Sequence, residues 1–184
     1  MQALETLKDV RVSVQPFDFP SGLGQLMNLR SLGLILDFKF DSDTEDTNMA
    51  GEEHNKAIFS SLFKLGTQNL RSLTFYGYGK LLHEESLCLP TLKDLTIGLP
   101  ASSQVSTWVG SLRNLQRLRL FVEGLKQDDL CTLGALPSLL SLCLMEQTES
   151  NGKLRFGGEV GLILTILGES AKRIGPKFLQ TCCF

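Results

Sequence analysis

Side chains able to do covalent or acid–base chemistry are few and scattered in this chain of 184 residues. Its two histidines are His54, beside an acidic stretch, and His83, in a linker, and both are expected at the surface. Neither stands in a motif such as G-x-S-x-G, which would set a nucleophile on a tight turn. The run Gly157-Gly158-Glu159-Val160-Gly161 does not match the phosphate-cradling G-x-x-x-x-G-K-[ST]. Asp41, Asp43 and Glu45, with Glu52 eleven residues after Asp41, echo a calcium loop. The sixth position of such a loop must be Gly for its sharp turn, and here it is Asp46, so a solvated loop is the better reading. The five cysteines (Cys88, Cys131, Cys143, Cys182, Cys183) show neither metal-ligand spacing nor a disulfide framework. The end Cys182-Cys183-Phe184 is no prenylation box of the C-a-a-X type, because Thr181 stands where the cysteine belongs. No catalytic group, cofactor or metal is therefore expected.

Cations and aromatics form a more ordered set. Lys8, Arg30, Arg71 and Lys93 recur at matching places along the chain, and Arg11, Arg117 and Arg119 flank similar apolar pairs. Tyr76, Tyr78 and Phe121 lie near them. Arg and aromatic side chains on an exposed face are common anchors of protein contacts, because they combine large contact area with directed hydrogen bonds. Lys8, Arg11, Arg30, Arg71, Tyr76, Lys93, Arg117, Arg119 and Phe121 are accordingly the candidate partner-binding residues.

What must position them is a sixfold apolar pattern, L-x-x-L-x-x-L-x-L with other apolar residues allowed. It reads Leu4-Leu7-Val10-Val12, Leu26-Leu29-Leu32-Leu34, Thr67-Leu70-Leu73-Phe75, Leu89-Leu92-Leu95-Ile97, Leu112-Leu115-Leu118-Leu120 and Leu136-Leu139-Leu142-Leu144. The third position falls at residues 10, 32, 73, 95, 118 and 142, with spacings of 22, 41, 22, 23 and 24. Within each L-x-L the period is two, so both leucines point inward from a short strand and their neighbours face solvent. A period of roughly 20 to 29 residues is that of a leucine-rich repeat, which contributes one strand per turn of a solenoid. The expected fold is an α/β horseshoe of six to seven repeats, with a parallel sheet lining its concave face and the candidate cations stacked on that face.

The 41-residue gap holds an acidic stretch, residues 37–53, with seven acids and one lysine. It reads as a solvated loop, followed by a convex-side helix over residues 54–66 with Gly66 as its C-cap. Beyond residue 161 the pattern stops, so residues 1–161 form the repeat domain and 162–184 a non-repeat tail. Net charge is −2, which gives no overall field for nucleic acid. The longest apolar stretch, Leu162 to Leu167, is far short of the ~20 residues that span a bilayer. Neither nucleic acid nor membrane is expected as a partner. The absence of a leader before the first repeat favours the cytoplasm. A repeat beginning so near Met1, with no polar cap before it, suggests a piece of a longer protein.

Particular segments resemble a known family. Phe19-Pro20-x-Gly22-Leu23-Gly24-Gln25-Leu26-Met27-Asn28-Leu29 and Trp108-Val109-Gly110-Ser111-Leu112-Arg113-Asn114-Leu115 look like repeats of plant nucleotide-binding, leucine-rich-repeat disease-resistance proteins of the coiled-coil class. The stretch from Glu123 to Pro137 and Lys153-Leu154-Arg155-Phe156-x-Gly158-Glu159-Val160-Gly161 are similar too. The resemblance implies a cytoplasmic recognition module of an immune receptor, acting in defense by sensing an effector or by autoinhibition. Its partner would be a pathogen effector, a host protein or the nucleotide-binding domain of the same receptor. The nucleotide-binding domain itself does not occur in this chain. The alternatives are an F-box-type substrate adaptor, whose upstream F-box is not present here, and a truncated fragment without function.

Overall fold

The computed structural model describes residues 4–36, 45–77, 88–98, 107–122, 127–146 and 163–168. Seven parallel strands form one sheet in strict chain order. They are β1 (Thr6–Arg11), β2 (Ser31–Leu36), β3 (Ser72–Gly77), β4 (Asp94–Gly98), β5 (Arg117–Val122), β6 (Ser141–Glu146) and β7 (Ile163–Gly168). Between them lie the short helix α1 (Phe19–Leu23), the long helix α2 (Glu45–Gln68), the helix α3 (Gln127–Gly134) and a 3-10 turn over Thr107–Ser111. This is the α/β solenoid that the repeat spacing requires.

The leucine pattern sets the register. Leu32, Leu73, Leu95, Leu118 and Leu142 pair across neighbouring strands, and so do Leu34, Phe75, Ile97, Leu120 and Leu144. All ten are at most 3% exposed, so both inward positions of every central strand are spent on one shared core. Ile58, Leu62 and Leu65 of α2, Trp108 and Val109 of the 3-10 turn, and Leu130 and Leu133 of α3 close it from the other side. Among the described residues, the helices lie on one side of the sheet and none lies on the outer face of the strands.

A second ladder, of polar groups, holds the repeats at their N-terminal edge. The carbonyls of Glu5, Arg30, Arg71, Lys93 and Gln116 each accept two backbone N–H groups from the next repeat, as when Lys93 and Asp94 both donate to Arg71. Beside this ladder Asn69 donates its side-chain amide to the carbonyl of Met27 at 3.1 Å, and Asn114 to that of Pro90 at 2.8 Å. Thr91 holds the matching place with a shorter side chain, and its hydroxyl donates to the carbonyls of Gly66 and Leu70. These side chains satisfy backbone acceptors that the turns would otherwise leave open.

The structure departs from the sequence expectation in four places. First, residues 163–168 are not outside the array, for β7 pairs in parallel with β6 through Leu142↔Leu164 and Leu144↔Ile166. The strand was hidden because Gly158 and Gly161 fill the two places where earlier repeats put apolar residues. Second, helix starts at Glu45 rather than residue 54, so the acidic stretch 37–53 is helical over its second half. Residues 37–44 lie outside the described residues.

Third, Gly66 is inside α2 rather than capping it. A Cβ there would come within 2.2 Å of Leu89 Cδ2 and 3.2 Å of Leu89 Cα, so glycine is present for close approach. Fourth, the first repeat is bulged. Leu7 pairs with Leu32 and Val10 with Leu34, and Lys8-Asp9 is looped out between them. Asp9 has φ 55°, a left-handed conformation that aspartate tolerates better than most residues. The inward pair of β1 is therefore Leu7 and Val10, both only partly buried, while Leu4 is 47% exposed. Val12 is buried within a 3-10 turn after the strand.

Candidate functional site

Side chains on the bare face of the sheet fall into rows that cross the strands. At the N-terminal edge the row runs Glu5, Arg30, Arg71, Lys93, Gln116, Leu140. The next is Thr6, Ser31, Ser72, Asp94, Arg117, Ser141. The third is Gly33, Thr74, Thr96, Arg119, Cys143, and the last, at the C-terminal edge, is Arg11, Ile35, Tyr76, Gly98, Phe121, Met145. Chemistry thus changes across the face, from cationic at one edge through small hydroxyls to aromatic and apolar at the other.

A groove of about 490 Å³ crosses the first five strands, floored by Ser31, Gly33, Ser72, Thr74 and Thr96 and bounded by Lys8, Tyr76, Arg117 and Arg119. Small side chains make the groove, since each leaves room above the sheet that a larger residue would fill. A second hollow of about 350 Å³ lies on the N-terminal edge between Arg71, Lys93, Asn69, Asn114 and Gln116. All nine candidate residues lie on this face or its edge, but they do not form one ladder.

Lys8 leaves the basic row because of the bulge, and Glu5 takes its place beside Arg30. The Glu5–Arg30 pair is 3.8 Å apart with both side chains more than half exposed, so it tempers the charge of Arg30 and adds little stability. Arg117 is bound to Asp94 of the neighbouring strand by a two-pronged contact, its Nε donating to Oδ1 and its Nη2 donating to Oδ2 at 2.8 Å. The contact strengthens the hold of Arg117 on its proton, first by the hydrogen bond and then by the charge of Asp94. Arg71, Lys93 and Arg119 remain as cations without an ion-pair partner among the described residues. Arg11 joins the aromatic edge row and has contacts of its own.

Tyr76 and Phe121 sit two strands apart, yet their ring centroids are 6.2 Å apart in an edge-on arrangement. Gly98 makes this possible. A Cβ there would meet Tyr76 Cδ1 at 2.7 Å, so the tyrosine ring lies across the glycine to reach Phe121. Tyr78 lies outside the described residues. The Asp94–Arg117 pair and the role of Gly98 escape a reading one repeat at a time. Both are found by aligning repeats, because Asp94 and Arg117 occupy equal places 23 residues apart.

His54 is half-buried rather than exposed, with its ring edge-on to Phe17 at 5.9 Å. His83 and the terminal cysteines lie outside the described residues. Cys88 and Cys143 are free thiols. Burial pushes the Cys143 thiol up, and the charge of Arg119 opposes that shift. Among the described residues there is no cluster of His, Cys, Asp and Glu that could hold a metal, and no helix long and apolar enough to cross a membrane. The geometry of the described residues offers a contact surface.

Comparison with curated proteins and with solved structures finds no match to this chain. A family model described as a leucine-rich repeat region matches residues 1–162, which spans six of the seven strands. A fold of this kind is typically an interaction scaffold, and each added repeat widens its open face. By its repeat spacing, its parallel ladder and this match, the chain belongs to the leucine-rich repeat region family.

Proposed function

We propose that the chain is the recognition module of a plant intracellular immune receptor, and that it works by protein–protein contact through the concave face. The observation that supports this reading most is the groove across five strands, with cations at its border and the Tyr76–Phe121 pair beside it. Large aromatic area beside directed donors is the composition of a protein contact. The plant assignment rests on the resemblance of the segments from Phe19 to Leu29 and from Trp108 to Pro137. In that setting the partner is an effector, a host protein or the receptor's own nucleotide-binding domain.

Proximity labelling in plant cells, with and without pathogen challenge, tests the proposal. Thr96→Arg fills the groove floor from the solvent side, whereas Lys64→Glu changes an exposed position of α2 on the helical side. Immune-receptor or pathogen proteins labelled by the parent and by Lys64→Glu, and lost in Thr96→Arg, are the expected result. The same labelled set for all three proteins would exclude the concave face.

A further inference from the structure

The edges of the concave face are too far apart, and too different, for one extended peptide to satisfy both. Arg71 and Tyr76 are five residues apart on one strand, roughly 16 Å at about 3.3 Å per residue. An α-helix with its side chains is about 10 to 12 Å across, which fills such a span when it lies on a floor of small residues. The floor here is Ser72, Thr74 and Thr96. The repeat distances also agree, because parallel strands are about 4.8 Å apart and a helix rises about 5.4 Å per turn. A helix crossing the strands therefore presents one side chain per turn to each successive strand.

We propose that an acidic amphipathic helix of the partner lies over this groove and the neighbouring hollow at the N-terminal edge, which Arg71 and Lys93 line. Its carboxylate stripe faces Arg71, Lys93 and Arg119, and its apolar stripe rests on Tyr76 and Phe121. Charge decides the first stripe, since these three cations lack ion-pair partners among the described residues while Arg30 and Arg117 face Glu5 and Asp94. Carboxylates meeting them gain attraction without breaking an existing pair. The Tyr76–Phe121 pair decides the second stripe, for Tyr76 is 40% exposed and Gly98, with no side chain, leaves room for its ring. Crossing five strands takes roughly 19 Å, about 13 helical residues at 1.5 Å each. The inference rests on the concave-face reading and names the class of partner for it.

Three synthetic 18-residue probes test it by fluorescence anisotropy against the full chain. One has a Glu stripe opposite a Leu/Phe stripe, one has Lys in place of Glu, and one has the Glu composition scrambled so that no stripe forms. The Glu-stripe helix is expected to bind at least about 10-fold more tightly than either other probe, a difference well above measurement error. In Arg71→Glu with Lys93→Glu, the preference should pass to the Lys-stripe helix. In Tyr76→Ala with Phe121→Ala, both striped helices should weaken alike while the parent's charge preference persists. Thermal melts of the variants, expected to match the parent, separate lost contacts from lost fold. Equal binding of Glu and Lys stripes, equal binding of the scrambled probe, or no binding at all would overturn the inference. If Thr96→Arg still removes the cellular partners in that case, the concave-face reading stands and only the acidic helix is lost.

Discussion

Arg119 and Cys143 face each other across β5 and β6, and the pair gives the concave face a pH signature. Burial raises the thiol's pKa, so its thiolate forms only above the usual thiol range. Arg119 works in the opposite direction, because a nearby positive charge favours the anion. Alkylation by iodoacetamide follows the thiolate fraction. The midpoint of Cys143 labelling against pH, read by mass spectrometry, is therefore expected above that of an ordinary cysteine, and higher again in Arg119→Ala. A midpoint that falls in Arg119→Ala would contradict the assigned roles. At this scale the sequence was legible in residue type more than in partnership. It placed nine candidates on one face of the sheet or its edge, yet Arg117 proved to be tied to Asp94 and Lys8 to stand outside the row. Partnership depends on register between repeats, which a bulge of two residues is enough to change.

The strands differ in how firmly the core holds them. Leu118 is 1% exposed in β5, with Leu95 and Leu142 on either side, whereas Leu7 in β1 is only partly buried. Truncating a buried leucine removes its transfer energy and leaves a cavity, so Leu118→Ala is expected to cost about 2 to 5 kcal/mol. Leu7→Ala should cost clearly less. Denaturant melts of the two variants check this, and equal losses would refute the bulged register of β1. Strands β2 to β6 were readable because each follows the full apolar pattern at 22 to 24 residues, with one gap of 41 filled largely by α2. Strand β7 follows at the same distance, 22 residues from Leu142 to Leu164, but glycines erase the first half of its pattern. The early start of α2 was obscured by charge, since a run of acids resembles a solvated loop until a helix end gives it a purpose. Alternation of two marks a strand sharply, whereas helix boundaries depend on the packing around them.

Across the whole molecule, each strand of the sheet is hydrogen-bonded to its neighbours in chain order. Stability in such an array is close to a sum of repeat and interface terms. Hydrogen exchange is expected to be slowest at the inner amides of β3, β4 and β5, and faster at β1, whose partner lies on one side only. Mass spectrometry of exchanged peptides reads the gradient, and protection of β1 equal to that of β4 would argue for a more global cooperativity. The solenoid and its open face were legible from composition and period, because one repeat fixes the next. The occupant of that face was not, since a surface records only half of a contact. The bulge at Lys8-Asp9 has one more consequence, for colloidal behaviour. Sheets polymerise edge to edge when a flat strand offers an even row of donors and acceptors. Here β1 is bulged at Lys8-Asp9 and studded with Glu5, Lys8, Asp9 and Arg11 at and beside it. Two looped-out residues thus make β1 itself a poor template for edge pairing.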